Sequence, residues 1–314
     1  MPGVKLFSAF LTISFLAAGA DLRLGIIGTD TSHVIAFTRI LNDNSLPDHV
    51  DGARVVAAYK GGSKDVKDSY TRVDKFADEL KTKWKIEFTP DIASLCRKVD
   101  AVLIESVDAR THLEQAKVVI AAGKPMFIDK PLASTLEDAR MIAKLAKDAG
   151  VPWFSSSSLR YGEIATTMKY PDTLGVMTWG PGPIEEHHQL ELAWYAIHPI
   201  EMLFALMGTG VEEVSRTSTD GADEVVGRWR GGRIGSVRAL RPYGGYGALV
   251  FRSKEVSQSN PKAAAGYRPL LVEIVKFFET KQPPVSNEET LEIFAFIDAA
   301  QRSKAAGGAP IKLR

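Results

Sequence analysis

The chain has 314 residues, of which 45% are hydrophobic and 25% charged, and this composition excludes disordered, collagen-like and polytopic membrane proteins. Its 39 Lys and Arg residues balance 38 Asp and Glu residues. Since proteins bind nucleic acids largely by neutralising several phosphates, this balance argues against a nucleic-acid partner and favours a small-molecule ligand. The single cysteine, Cys96, can form neither an internal disulfide nor a thiolate metal cluster. The length predicts about two domains.

Residues 1–20 have the pattern of an export signal. Lys5 supplies a positive charge, an apolar run follows it, and Ala18-Gly19-Ala20 is typical of a cleavage site. The run is shorter than the about 20 apolar residues that span a membrane. We therefore expect a protein that is exported to the periplasm or secreted, with no stable membrane insertion after cleavage. An uncleaved anchor or a wrongly assigned start is the alternative.

Strand and helix patterns alternate over residues 21–156. Short apolar runs predict six strands, at 22–27, 54–59, 85–88, 101–104, 125–128 and 151–154. Helices are predicted at 32–41, from after Asp108 to Gly123, and from Ser134, where Glu137 completes a capping box, to Gly150. This alternation implies parallel strands joined by right-handed crossovers. The predicted fold class is therefore α/β, with an N-terminal Rossmann-like, doubly wound sheet.

Residues 157–314 follow a different pattern. Gly231-Gly232 lies between two strand-like runs, as in a β-hairpin, and the predicted strands are at 225–230, 233–238 and 246–252. Helices are predicted at 190–207, 270–278 and 288–304. The sequence therefore predicts a C-terminal α+β domain with a mainly antiparallel sheet. Its last helices are expected to pack back on the first domain.

The turn after the first strand is the first candidate site. A dinucleotide-binding fingerprint needs glycine at positions 28, 30 and 33, and the chain has only the first of them. An acid at position 30 places a carboxylate where a pyrophosphate would lie, and a histidine fills position 33. Capping of the following helix is an equally good interpretation of this turn. If a dinucleotide binds, the turn residues that contact it are Gly28, Thr29, Asp30, Ser32 and His33.

The second strand ends at Lys60, where NAD-specific domains carry an acid that binds the ribose hydroxyls. A cation at this place suits the 2′-phosphate of NADP, and Ser63 and Lys64 are suitable neighbours. A solvated turn is at least as good an interpretation. Lys60 is therefore a candidate cofactor contact.

The fifth strand leads into Asp129-Lys130-Pro131-Leu132-Ala133. This segment resembles the Glu-Lys-Pro signature of the Gfo/Idh/MocA oxidoreductase family, with aspartate in place of glutamate. Residues 25–28 resemble that family's first strand and turn, Thr111-His112 its Asn-x-x-His region, and residues 299–307 its closing helix. The resemblance covers nearly all of the chain after residue 20. It implies a Rossmann domain followed by a sheet domain, with NAD or NADP as cofactor.

The family also suggests roles for particular residues. Its signature lysine points into the cleft beside the nicotinamide, and the histidine of an Asp-x-x-x-His motif takes a proton from the substrate. Lys130 and His198 match these two positions and are the expected catalytic residues, although Trp194 replaces the aspartate. A core histidine is the alternative for His198. The resemblance adds four cofactor contacts, Ser106, His112, Asp129 and Lys130.

A cluster of histidines and acids precedes the expected helix histidine. Glu185-Glu186-His187-His188, with Glu191, has residue types that suit zinc, but the spacing matches no known zinc motif. We therefore predict no metal site and interpret the cluster as a polar wall for substrate. The expected substrate contacts are Arg160, Tyr161, His187, His188 and Tyr195, although a salt bridge between domains would also explain the arginine.

Three functions stay open at this point. The first is an NAD(P)-dependent oxidoreductase that acts on a sugar or polyol. The second is a cofactor-free exported relative, either a sugar lyase, hydratase or epimerase or a sugar-binding protein, and Asp30, His33 and Trp194 favour it. The third is a structural or partner-binding protein with a closed cleft. By analogy with the family, a homodimer or higher homo-oligomer through the C-terminal sheet is expected.

Overall fold

The computed structural model describes residues 20–242 and 244–313. The predicted export signal therefore lies, except for its last residue, outside the described residues. Within the described ranges, no helix is both long and apolar enough to cross a membrane.

The first sheet has six parallel strands in the order β3-β2-β1-β4-β5-β6. This order confirms the doubly wound Rossmann fold. The third strand is shorter than predicted because Lys85 adopts a positive φ of 57°, which an extended strand does not accommodate. The strands are β1 Leu22–Ile27, β2 Ala53–Tyr59, β3 Glu87–Phe88, β4 Ala101–Ile104, β5 Met126–Asp129 and β6 Trp153–Ser156.

Helices connect these strands. They are α1 Ser32–Asn42, α2 Lys67–Tyr70, α3 Val73–Thr82, α4 Ile92–Lys98, α5 His112–Ala121 and α6 Leu136–Ala149. The capping box predicted at Ser134 and Glu137 is wrong by one residue, since Thr135 is the N-cap and its side chain accepts a hydrogen bond from the amide of Asp138. Ser134 is buried, and its carbonyl accepts a hydrogen bond from the amide of Leu190.

The second sheet has seven strands in the order β12-β11-β7-β10-β9-β8-β13. Neighbouring strands are antiparallel except β7 and β10, which confirms the mainly antiparallel sheet. Gly231 and Gly232 connect β9 to β10 with φ values of 78° and 81°, a conformation that favours glycine. The strands are β7 Thr173–Pro181, β8 Val211–Ser218, β9 Ala222–Trp229, β10 Ile234–Leu240, β11 Gly247–Arg252, β12 Val256–Gln258 and β13 Ile311–Lys312.

The single helix predicted over 190–207 is two helices in the structure. The chain leaves helical geometry at Tyr195, where φ is −135°. Pro199 explains the break, because a proline ring clashes with the carbonyl of the residue four positions earlier. The helices of this half are α7 Glu163–Thr167, α8 Glu191–Trp194, α9 Ile197–Met207, α10 Arg268–Thr280 and α11 Asn287–Ala305.

Helix α10 returns to the first sheet. Its buried residues Leu270, Ile274 and Phe277 share an apolar cluster with residues of β1 and α1. The rings of Phe277 and Phe154 lie 5.0 Å apart in an edge-to-face contact, which favours close packing of the helix on β6. The residues just before α10 are thereby placed beside the carboxyl edge of the first sheet.

Candidate active site

A cleft of about 480 Å³ lies at the carboxyl edge of the first sheet and is lined by residues from both halves of the chain. Doubly wound sheets bind their ligands at this edge. The first turn of α1, the end of β5, the α8–α9 region and the segment before α10 all contribute. Polar and aromatic side chains in the lining include Ser32, His33, Lys130, Tyr195, His198 and Tyr267.

The structure brings Lys130 and His198 to this same cleft. Lys130 follows β5, and its Nζ lies 5.7 Å from the centroid of the Tyr195 ring. His198 lies in the first turn of α9, and its Nδ1 is 2.7 Å from Oγ of Ser157. The pair expected from sequence is therefore assembled from the two halves of the chain.

Burial controls the charge of both groups. It lowers the pKa of the Lys130 ammonium, although the carboxylates of Asp129 and Glu105 act in the opposite direction. It also holds the pKa of His198 well below its usual range, and the nearby positive charge of Lys130 adds to this effect. Trp194 replaces the carboxylate expected four residues before His198. That position therefore offers no negative charge to offset the effect of burial on the pKa of His198. The imidazole is consequently neutral and able to accept a proton at neutral pH.

A carboxylate–imidazole pair does exist on the other wall of the cleft. Nδ1 of His33 lies 2.6 Å from Oδ2 of Asp129. The His33 ring also contacts Tyr267, with centroids 4.7 Å apart. Behind the pair lies Glu105, at the end of β4, which sequence reasoning missed. An acid directly after a buried strand of a parallel sheet is the signal that could have identified it.

Asp30 does not fill the pyrophosphate position that the sequence suggested. The side chain is fully buried, accepts hydrogen bonds from Oγ of Ser69 and the amide of Val107, and thus joins the segments that follow β2 and β4. Burial raises its pKa, and these hydrogen bonds act in the opposite direction. The N-cap of α1 is Thr31, whose side chain accepts a hydrogen bond from the amide of His33.

Residues 60–73, here named the covering segment, lie over the turn that follows β1. Oγ1 of Thr29 donates to the carbonyls of Lys60 and Val73, at 3.1 and 3.3 Å. A Cβ at Gly61 would come within 3.1 Å of the Gly28 Cα, so the two glycines are in close contact. Gly28 and Thr29 are buried as a result. The side chain of Lys60 forms an ion pair with Asp74.

In this conformation the site therefore fits only one end of a dinucleotide. The cleft beside α1 and Lys130 is open and polar, as the nicotinamide end requires. The adenosine end would pass over Gly28 toward the end of β2, and Gly61 lies in that place. We therefore expect binding of the whole cofactor to displace the covering segment.

Ser106 and His112 lie behind the cleft and connect loops. Oγ of Ser106 accepts a hydrogen bond from Gln115 at 2.8 Å. The buried His112 ring lies between two main-chain oxygens, 2.7 Å from that of Ser106 and 3.1 Å from that of Leu132. These contacts fix the loops after β4 and β5 relative to each other.

Arg160 and Tyr161 lie next to the cleft wall rather than in its lining. Arg160 is held between Glu201 and Glu289, at 2.6 and 2.7 Å. Burial lowers the pKa of this guanidinium, but Glu201 and Glu289 together outweigh burial and the net direction is upward. Burial raises the pKa of Tyr161, whose ring packs against the apolar cluster beneath α10.

The histidine cluster before α8 is dispersed in the structure. His187 pairs with Glu185 at 2.7 Å, while Nδ1 of the buried His188 lies 3.0 Å from the carbonyl of Leu190. Glu191 binds Arg216 and Lys304. These three candidate ligands therefore do not converge on a metal position. Of the five expected substrate contacts, Tyr195 lines the cleft.

Comparisons with known proteins agree with the fold. Residues 22–156 match the GFO_IDH_MocA model, described as an oxidoreductase family with an NAD-binding Rossmann fold. The chain is 44% identical over 62 residues to 1,5-anhydro-D-fructose reductase of Ensifer adhaerens, covering 20% of this chain and 18% of that protein. It is 49% identical over 53 residues to inositol 2-dehydrogenase of Paracoccus denitrificans, covering 17% and 16%. Each match spans less than a fifth of the curated relative.

Solved structures resemble nearly the whole chain. Myo-inositol dehydrogenase of Lactobacillus casei, solved with NAD(H) and myo-inositol, has a TM-score of 0.72 and 18% identity, covering 94% of this chain and 97% of that one. Scyllo-inositol dehydrogenase of the same organism, solved with NAD(H) and scyllo-inositol, has a TM-score of 0.74 and 13% identity, covering 94% and 99%. At this identity the likeness shows the fold alone. The expected cofactor class agrees with the family description, and residues 22–156 of the chain match the Gfo/Idh/MocA family of oxidoreductases with an NAD-binding Rossmann fold.

Proposed function

We propose that the protein is an NAD(P)-dependent oxidoreductase that acts on a sugar or polyol. The main support for this proposal is that Lys130 and His198 line the same open cleft, beside the first turn of α1. When bound, the nicotinamide would exchange a hydride with a carbinol carbon of the substrate.

The two residues have complementary roles in such a reaction. The neutral imidazole of His198 accepts the proton of the substrate hydroxyl, because burial holds its pKa low enough to leave the ring unprotonated. Lys130 donates a hydrogen bond to the same oxygen and polarises it. Tyr195, Tyr246 and Tyr267 surround the cleft, and aromatic rings with hydroxyl groups suit a ligand that has both apolar C–H faces and many hydroxyls.

The relatives support a polyhydroxylated substrate. The curated relatives include inositol 2-dehydrogenases and a 1,5-anhydro-D-fructose reductase. Two of the structural neighbours were solved with NAD(H) and an inositol. A cofactor-free enzyme is less well supported, since the family description names an NAD-binding fold. Export to the periplasm or beyond is also proposed, on the pattern of residues 1–20 alone.

Nucleotide binding is the first experiment. Purified protein is heated with NAD, NADH, NADP or NADPH, and the unfolding temperature is compared with that of the free protein. Ligand at ten times its Kd adds about 1.4 kcal/mol to the free energy of unfolding, which is readily measured. If none of the four nucleotides shifts the transition, the oxidoreductase proposal is wrong.

Turnover is the second experiment. A panel of inositols, sugars and their keto forms is assayed by the absorbance of NAD(P)H. For a substrate that reacts, Lys130→Met and His198→Gln are each expected to lower kcat by roughly 10²–10⁴-fold, the usual contribution of a positioned acid or base. Lys144→Met is the matched control, because Lys144 pairs with Asp148 on the exposed face of α6. Equal activity of all four proteins would contradict the roles assigned to Lys130 and His198.

A further inference from the structure

Three side chains of the types that bind metal ions lie close together at the carboxyl edge of the first sheet. A ring nitrogen of His33 and carboxylate oxygens of Glu105 and Asp129 all lie within 4.8 Å of one another. They come from α1, the end of β4 and the end of β5. The main chain fixes this arrangement, since the amide of Glu105 donates to the carbonyl of Ile27 at 2.7 Å.

Glu105 is the unusual member of this group. It is 0% exposed, and within the described part of the chain neither carboxylate oxygen has a hydrogen-bond partner. Oδ1 of Asp129 also lacks a partner there. A buried carboxylate without partners is unfavourable unless a proton or a cation neutralises it. The unused oxygens therefore leave room for a proton or a cation in the space that the three side chains share.

The nearest lysine acts on the two carboxylates through its charge but without direct contact, since charge attraction links Lys130 to Glu105 and Asp129. The Lys130 ammonium lies 5.7 Å from the centroid of the Tyr195 ring, and the described residues include no ion pair between it and Glu105 or Asp129. The space beside the two carboxylates is thus left to a ligand from solution, which can enter from the cleft that His33 lines.

We propose that a divalent transition-metal ion, of the class of Mn²⁺ or Zn²⁺, binds between His33, Glu105 and Asp129. One imidazole with two carboxylates is a donor set that these ions accept. Ligand atoms about 2.1 Å from such an ion lie roughly 3–4 Å from one another, so small side-chain shifts would complete the site. Coordination takes the place of the contact between Nδ1 of His33 and Oδ2 of Asp129, and protons on the ligand groups are released to solvent as the ion binds.

The site has a consequence for ligand recognition. Three protein ligands leave coordination positions open, and His33 borders the cleft. An oxygen of a bound small molecule, such as one of two neighbouring hydroxyl or keto oxygens, can occupy them. The metal site does not depend on hydride transfer, so it can be tested separately from the proposed oxidoreductase activity.

The test is a titration of metal-free protein with Mn²⁺, in the absence of nucleotide, with free Mn²⁺ measured by electron paramagnetic resonance. One Mn²⁺ per chain is expected, displaced by Zn²⁺, with ¹⁴N coupling from one imidazole in the pulsed spectrum. Glu105→Gln keeps the shape of the side chain, and it should weaken binding at least tenfold. Glu185→Gln is the matched control, because it removes a carboxylate that also contacts a histidine, and it should bind Mn²⁺ like the wild type.

Asp129→Asn provides a second variant, and circular dichroism shows which variants fold. Weaker binding in either folded variant supports the site. Absence of stoichiometric binding in the wild type, absence of nitrogen coupling, or wild-type affinity in both variants would overturn it. Because nucleotide binding is measured without metal and metal binding without nucleotide, failure of one proposal is distinguished from failure of the other.

Discussion

Histidine side chains in this protein differ mainly in what surrounds the ring. The His33 ring is hydrogen-bonded to a carboxylate, the His112 ring to two carbonyl oxygens, and the His198 ring to a serine hydroxyl. His187 is partly exposed beside Glu185, whereas its neighbour His188 is buried against the ring of Trp194. Residue type alone therefore says little about charge, since burial opposes the imidazolium form and a carboxylate favours it.

His188 carries a prediction about acid stability. Burial lowers its pKa to about 4, from 6.5 in an unfolded chain. The unfolded state thus takes up the proton first, so the free energy of unfolding falls as pH decreases from 6.5 toward 4. The expected slope is about 1.4 kcal/mol per pH unit for one proton, or about 3 kcal/mol in total. His188→Gln should remove this part of the decline in urea unfolding measured at several pH values.

His187→Gln is the control for that measurement. The hydrogen bond with Glu185 raises the pKa of His187, so its proton stabilises the folded state at low pH and is not a cause of acid destabilisation. The control should keep the decline between pH 6.5 and 4. Identical slopes for His188→Gln and the wild type would show that His188 is not held neutral by burial.

Among the elements, the covering segment has the clearest effect on the site. Further side-chain contacts attach it to the rest of the first domain, among them Ser69 to Asp30, Ser63 to Asp108, and Arg110 to Asp65. The hydrogen bond of Arg110 strongly lowers the pKa of Asp65, to about 2, so this pair stays charged at neutral pH. These contacts oppose the displacement that a dinucleotide requires.

Loosening the covering segment should therefore favour nucleotide binding. In the variant Asp65→Ala/Ser69→Ala, the open conformation is more populated, and the apparent Kd falls as its population rises. We expect several-fold faster association of NADH in stopped-flow fluorescence. Asp148→Ala, on the exposed face of α6, should associate like the wild type. Unchanged association in the double variant would mean that the covering segment does not limit access.

At the scale of the molecule, the outer face of the second sheet has an apolar row. Ile234 of β10 and Phe251 of β11 flank Gly175 of β7, and Val256 of β12 is paired with Phe251. Ile234 and Val256 are 57% and 56% exposed. Contiguous exposed apolar residues of this kind are typical of a protein interface.

We predict that this face joins two copies of the chain. A two-fold interface would place the row of one copy against the row of the other and remove both from water. Ile234→Glu should convert a dimer into a monomer in size-exclusion chromatography with light scattering. Val272→Glu, an exposed apolar position on α10, is the control and should leave the dimer intact. A wild-type monomer at high concentration would refute the prediction.

Local patterns made a large part of this protein predictable. Apolar runs and helical periodicity depend on neighbouring residues, so the six strands of the first sheet and three of the second, β9, β10 and β11, followed from the sequence. The strands β7, β8, β12 and β13 were not predicted. The helix break at Tyr195 was also accessible, because Pro199 is a local signal. The motif residues Lys130 and His198 were recognised from their own neighbours in the chain. Their meeting in one cleft is consistent with the predicted order of the two domains.

Long-range contacts decided the rest. His33 and Asp129 are 96 positions apart, and their hydrogen bond exists only because α1 begins, and β5 ends, at the same edge of the sheet. Glu105 is left without partners only when β4 is buried between β1 and β5. Sequence by itself determined the fold class, through local patterns of apolar residues, and the catalytic candidates, through resemblance to a family motif. The tertiary structure decided which carboxylates are paired, buried or unpartnered, because that depends on which distant segments share the same space.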